Sequence, residues 1–244
     1  PVLGILNGID IDVWNPAADP YLAAAYDADD PAGKMACKAA LQAELGLPVE
    51  PDVPLLGMVT RLVTHKGLGL IEDLGDALVE RAAQFAFLGT GDSRFEALLT
   101  DLDDRFPGVA TRIEFSEALA HRIEAGADFF LMPSEFEPCG LTQMISQRYG
   151  TLPIVHRVGG LADSVTHASL EAVREGEATG LVFDTFDAPA LSGAVDQALE
   201  LYSDPAVLAG IRRTAMERDF SWRRSGLEYE ELYRQTLQQK RGDH

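Results

Sequence analysis

From Pro54 onward the chain alternates between short apolar runs and stretches with helical spacing. The run 54–60 (PLLGMVT) predicts a buried strand. Residues 69–84 then carry Leu, Ile and Val at the intervals of one helix face. FAFLGTG (85–91) predicts a second strand running into a glycine turn, and 93–106 predicts an amphipathic helix with Ser93 as its cap. A strand at 111–115, a helix at 117–126 ended by Gly126 and a strand at 127–133 follow. A helix at 141–150 closed by Gly150 then leads to a strand at 152–156 and a last strand at 180–184. Helices fill the remainder, including 227–239. Upstream, the segment 15–53 is rich in Ala, Asp and Pro and is expected to wrap the surface with one helix, 33–46.

Strand and helix alternating at about 20–25 residues per unit imply right-handed crossovers and a parallel sheet with helices on both faces, a Rossmann-like α/β fold. Open sheets of this kind bind ligands beyond the carboxyl ends of their strands. Every unusual loop in this sequence falls at such an end. There are no repeats and no low-complexity tract.

Composition narrows the picture. The 244 residues are 46% hydrophobic and 24% charged, enough for a sizeable core in one large domain or two small ones. No apolar run reaches the ~18 residues of a membrane span, and no basic-then-apolar signal segment opens the chain. Two cysteines, Cys37 and Cys139, lie far apart, which fits a reducing cytosol better than a disulfide framework. Twenty Lys and Arg against 39 Asp and Glu give a net charge of −19, which argues against nucleic acid and anionic membranes as partners. A phosphate ligand would need local cations and backbone N–H groups to overcome that field. The chain opens on PVLGILNGIDIDVWNP without an initiator Met and is expected to be a piece of something longer.

Four loops carry candidate chemistry. TRLVTHKG (60–67) delivers Arg61 and Lys66 from the first strand end, a planar fork and a point charge suited to a diphosphate; ordinary surface cations are the alternative. EFEPCGLTQ (135–143) sets Gly140, Leu141 and Thr142 at a helix start, whose free N–H groups form an anion site, with Glu137 able to accept from sugar hydroxyls. The alternatives are a helix-capping carboxylate for Glu137 and a buried structural thiol for Cys139. LGTGD (88–92) lacks the third glycine of a dinucleotide fingerprint, so its glycines bring backbone near a ligand or turn the chain. VGGLADSV (158–165) repeats the glycine-then-helix device or is a plain turn. Phe115, at a strand end, is core or a platform for a flat base. The five histidines show no ligand spacing, so no metal site is expected, and no nucleophile motif is present.

Six ordered blocks, NGIDIDVWNP, RLVTHKGLGLI, LGTGD, EALAHRIEAGADFFLMPSEFEPCGLTQ, RYGTLPIVHRVGGLADSV and DFSWRRSGLEYEELY, resemble the glycogen and starch synthases over nearly the whole chain. These are retaining glucosyltransferases of two-domain GT-B architecture, and the resemblance covers their carboxy-terminal, donor-binding half. It implies transfer of glucose from ADP-glucose to the non-reducing end of an α-1,4-glucan, with the acceptor held by an amino-terminal domain outside this sequence. It also implies a cytoplasmic enzyme with no cofactor beyond the nucleotide sugar. Arg61 and Lys66 match the pair that grips the diphosphate, and Glu137 the carboxylate that contacts the donor glucose. Gly140, Leu141 and Thr142 match the helix start at the distal phosphate, Asn7 an asparagine near the glucose, and Phe115 a tyrosine stacked on adenine. Residues 1–220 would form the nucleotide-sugar domain and 221–244 a helix crossing back to the other domain. The chain departs from the pattern at Glu135 and His156 (arginine usual), Ile145 (an aromatic), Val158 (threonine), and Glu114 and Ser116 (Gly and Asp). Two alternatives stay open: a binding or regulatory module without chemistry, which those departures support, and another GT-B nucleotide-sugar enzyme.

Overall fold

The computed structural model describes residues 3–242, with side chains as far as Gln238. The expected second unit, 221–244, thus extends two residues outside the described residues. Six strands appear among the described residues: β1 Leu55–Val59, β2 Gln84–Leu88, β3 Val109–Arg112, β4 Phe129–Met132, β5 Leu152–His156 and β6 Leu181–Phe183. All neighbouring pairs are parallel, in the order β3-β2-β1-β4-β5-β6. This is the doubly wound sheet expected.

Each strand alternates its side chains between two buried faces. Leu56, Met58, Phe85, Phe87 and Phe129 join one core cluster, while Leu55, Ala86, Leu88 and Phe130 join another. The first face is covered by α2 (Leu68–Leu74), α3 (Asp76–Val79), α4 (Ser93–Arg105) and α9 (Ala188–Tyr202). The second is covered by α1 (Gly33–Leu45), α5 (Glu117–Gly126) and α7 (Gly159–Ser164). Burial on both sides explains why the strands read as continuous apolar runs. The other helices are α6 (Thr142–Arg148), α8 (Leu170–Glu175), α10 (Pro205–Met216) and α11 (Trp222–Gly242). Ile9 bridges Ser221, tying the start of the chain to the start of α11.

Several local expectations are corrected. The helix read at 69–84 is two short helices, because Gly75 takes φ 50°, ψ −130°, and its last residue, Gln84, already belongs to β2. The third strand runs 109–112 rather than 111–115: its final pair is Leu88 with Arg112, beyond which β2 offers no further partner. Phe115 therefore lies outside the sheet. Asp92, in extended conformation, occupies the position before α4 and Ser93 is its first residue; no side chain caps it.

The helix α1 is more than a surface wrap. Leu41 and Leu45 enter the second core cluster, and Lys34, Lys38 and Gln42 are buried with it. Lys34 Nζ donates to the carbonyls of Ala125 (2.9 Å) and Tyr149 (3.0 Å), at the ends of α5 and α6, and to Thr151 Oγ1 at 2.7 Å. Carbonyls at helix C-termini suit an ammonium, although burial pushes its pKa down to about 7. Burial raises the neighbouring Glu124 carboxyl well above the usual range.

Candidate donor site

The topological switch of this sheet lies between β1 and β4, where the chain, having built β2 and β3 on one side, crosses to the other. Crevices at such points are where doubly wound sheets bind ligands. The loops leaving β1 and β4 are TRLVTHKG and PSEFEPCGLTQ. Local packing brings the two together. Thr64–Lys66 form one 3₁₀ turn that ends at Gly67, whose φ is 82°. A Cβ on Gly67 would stand 2.0 Å from the Pro133 carbonyl oxygen, so only glycine admits this approach. Glu135 N–H donates to His65 O at 3.0 Å, closing the contact with a backbone bond.

Lys66 Nζ then meets Glu137 Oε2 at 2.5 Å, with both side chains largely shielded. Ser134 Oγ lies 3.4 Å from the same carboxylate oxygen. Gly67→Ala is expected to lower stability by about 1–3 kcal/mol, from the positive φ and the backbone clash together. Urea denaturation reads this directly, and a midpoint equal to wild type contradicts it.

Arg61 sits elsewhere on the same loop. Its exposed side chain lines a cavity of about 300 Å³ with Phe115, Gly89, Thr90, Glu114 and Trp14. Phe115 is 92% exposed there, free of the core that aromatic residues usually join. Gly89, which a side chain would press to 1.9 Å from Thr60 O, lets β1 and β2 ends close at the cavity wall. Trp14 closes another side of this cavity and stacks on His121 with centroids 3.8 Å apart.

The helix α6 starts at Thr142 with Leu141 before it, and no side chain caps it. Met144 and Ile145 N–H both donate to Leu141 O, leaving the N–H groups ahead of them without intrahelical acceptors. Gly140 has φ 70°. Asn7 lines a cavity of about 360 Å³ with Met144, Ser164, Arg218 and Glu228, beside the first turn of α6 and the end of α7. Two of the departures make definite contacts. Ile145 is core, packed with Ile9, Tyr26 and Tyr149, and His156 Nδ1 lies 3.0 Å from Ser134 O beside Phe183 and Phe186. Glu135 and Val158 remain on the loops around the crevice, with Val158 preceding α7. Among the described residues no three His, Cys, Asp or Glu side chains come together as metal ligands, and no helix is long and apolar enough to cross a membrane.

A parallel sheet with a charged pair at its switch point and an aromatic-walled cavity beside it defines a doubly wound α/β domain with a candidate ligand crevice. The profile of the family described as "Glycosyl transferases group 1" matches residues 53–201, and the chain belongs to that family. Among curated proteins it is 50% identical over 232 residues to a glycogen synthase of Anaeromyxobacter dehalogenans, covering 95% of this chain and 48% of that protein. A glycogen synthase of Aromatoleum aromaticum is 51% identical over 231 residues, covering 94% and 47%. Among solved structures, the catalytic domain of starch synthase IV from Arabidopsis thaliana, bound to ADP and acarbose, superposes with TM-score 0.89 at 40% identity. That match covers 97% of this chain and 49% of the other. The chain thus spans about half the length of the relatives it matches. The likeness to glycogen and starch synthases read from the six sequence blocks is borne out, and so is the fold.

Proposed function

We propose that this chain is the donor-binding domain of a glycogen or starch synthase, which transfers glucose from ADP-glucose to the non-reducing end of an α-1,4-glucan with retention. The observation that carries the reading is the Lys66–Glu137 contact at the β1/β4 switch point, in a chain half identical to glycogen synthases. In this reading the nucleoside diphosphate lies across the crevice. Its base occupies the cavity of Phe115, and Arg61 and Lys66 face the diphosphate. Glu137 accepts from glucose hydroxyls, while the N–H groups of Gly140, Leu141 and Thr142 face the distal phosphate.

The chemistry follows from charge. When the anomeric C–O bond breaks, the bonding electrons leave on the diphosphate, and the sugar passes through an oxocarbenium-like state. Fixed cations that meet the growing negative charge lower that barrier without reorganising, the task that metal ions perform in other phosphate chemistry. A carboxylate beside the sugar favours the positive charge on the ring. A glucan hydroxyl attacking from the face that the diphosphate leaves passes its proton to the departing phosphate oxygen as the new C–O bond forms, which gives retention.

Asn7, in the cavity beside Met144 and Ser164, and α11, with Trp222, Leu227 and Tyr233 exposed, would face the acceptor-bearing half of the enzyme. Titration calorimetry with ADP and ADP-glucose tests the reading. Saturable binding of both is expected, and a folded chain that binds neither overturns it. That result would favour the regulatory-module alternative, for which the acidic Glu135 beside the crevice is the motivating observation. Glucan extension by this chain alone is expected to be absent, because in this reading the acceptor is held by the amino-terminal half of the enzyme.

A further inference from the structure

The loop that carries Glu137 is held by a hydrogen-bond circuit that the mechanism above does not use. Gln143, in the first turn of α6, is fully buried. Its Nε2 lies 3.0 Å from Cys139 O, 3.0 Å from Gly140 O and 2.9 Å from Ser164 Oγ. Ser164, at the end of α7, donates its hydroxyl to Gly160 O at 2.5 Å. Gly160 N–H in turn donates to Glu137 O at 3.0 Å. The two protons on Nε2 serve these three acceptors, with Ser164 Oγ taking one and the Cys139 and Gly140 carbonyls sharing the other. The serine hydroxyl is spent on Gly160, so its oxygen accepts from the Gln143 amide. Turning that amide over would aim its oxygen at two carbonyls, which fixes the orientation. Gln143 Oε1 is buried without a partner, a cost accepted in exchange for holding the donors where they are.

The second side of the circuit is steric. A Cβ on Gly160 would lie 1.9 Å from Cys139 O, and one on Gly159 would lie 2.1 Å from Glu137 O. The 137–140 backbone thus rests flush on the first turn of α7, and Gln143 and Ser164 close the clamp from α6. Gln147 extends it, donating from Nε2 to Gln143 O and Ser164 O at 3.0 and 3.1 Å. Every acceptor on the loop is a backbone carbonyl, so the clamp fixes the path of the chain through Glu137 whatever side chains the loop carries.

We infer that Gln143 and Ser164 are positioning residues for donor binding: they hold the backbone of 137–140 against α7 and so set where the Glu137 carboxylate stands relative to Lys66 and the sugar. The inference rests on the donor-site reading above. It differs from a general stabilising role in what it predicts. Loosening the loop should cost the sugar contact more than the nucleotide contacts.

The test uses Gln143→Met, Ser164→Ala and Ser164→Thr in the whole chain. Calorimetry should show ADP-glucose affinity lowered about tenfold in Gln143→Met and severalfold in Ser164→Ala, while ADP, which loses part of the Gly140–Thr142 amide contact but keeps its other contacts, weakens clearly less than ADP-glucose in both. Ser164→Thr, which keeps the hydroxyl, should bind as wild type does. Hydrogen exchange should show the Gly160 amide losing protection in Gln143→Met and Ser164→Ala, while amides of β1 and β4 keep theirs. If Gln143→Met does not fold, the serine pair decides. Equal losses for ADP and ADP-glucose, wild-type affinity in Ser164→Ala, or unchanged exchange at Gly160 each overturn the inference. If wild type binds neither nucleotide, the donor-site reading has failed, and exchange at Gly160 still decides whether the clamp exists.

Discussion

Lys66→Ala should lower glucosyl transfer by about 10²–10³-fold in the enzyme that contains this domain, the loss typical of removing one preorganised group aimed at developing charge. The structure adds a sign that separates Lys66 from its partner. At rest the ammonium is held by Glu137 at 2.5 Å, so an entering diphosphate competes with the carboxylate for it. Removing the ammonium should weaken ADP and ADP-glucose together. Glu137→Gln should do something different: with its charged competitor gone, Lys66 is free for phosphate, so ADP should bind at least as tightly while ADP-glucose gains less from its sugar. Calorimetry on the two variants, with turnover measured in the complete enzyme, reads all of this. A loss under threefold for Lys66→Ala would take Lys66 out of the mechanism. A parallel weakening of ADP and ADP-glucose in Glu137→Gln would mean that the carboxylate merely supports the loop.

Much of this site was legible in the chain, for definite reasons. Strands buried on both faces leave continuous apolar runs, and the loops between them stand out by contrast; TRLVTHKG and EFEPCGLTQ were visible because glycine, proline and charge interrupt a regular pattern. Neither local pattern contains the adjacency of β1 and β4. It arises from the crossover after β3, and it brings Lys66 to Glu137 across 71 positions of sequence. Arg61 and Lys66 look like one cationic pair in sequence, yet the 3₁₀ turn between them gives Lys66 to Glu137 and Arg61 to the Phe115 cavity. Ile145 looked like a change in the site and is a change in the core, since a helix start names the loop but not the face each residue presents. Gln143 and Ser164 carry no signal of their own: a glutamine in a helix's first turn is common, and its three acceptors come from groups that only the fold assembles.

The largest effect on stability should come from Asp128→Ala, at the opposite end of β4 from the candidate donor site. Asp128 Oδ2 accepts from Lys38 Nζ at 2.7 Å and from Leu55 N–H at 3.0 Å, and its Oδ1 accepts from Arg212 Nη2 at 2.5 Å. The carboxylate and the ammonium are almost wholly buried. Lys38 also reaches the carbonyls of Pro51 and Val53 and the hydroxyl of Tyr202, so α1, the strand entrances and α9 converge on one charge cluster. Deleting the carboxylate leaves a buried ammonium with only neutral acceptors and strands the Arg212 guanidinium, whose Nε already has no partner. Breaking a buried pair from one side in this way costs about 3–5 kcal/mol. In a domain of this size that corresponds to a drop of about 6–20 °C in Tm. The overall charge of −19 works the other way, since losing one acid relieves self-repulsion, but that relief is spread over the surface and screened by salt. Lys38→Met added to Asp128→Ala should recover part of the loss, because it removes the uncompensated charge instead of leaving it buried. Chemical denaturation of the single and double variants measures both steps. If Asp128→Ala costs less than about 1 kcal/mol, or the second substitution deepens the loss, the charge cluster is not what holds this end of the sheet. ADP affinity of the folded single variant should match wild type, since the strand end it alters lies away from the crevice.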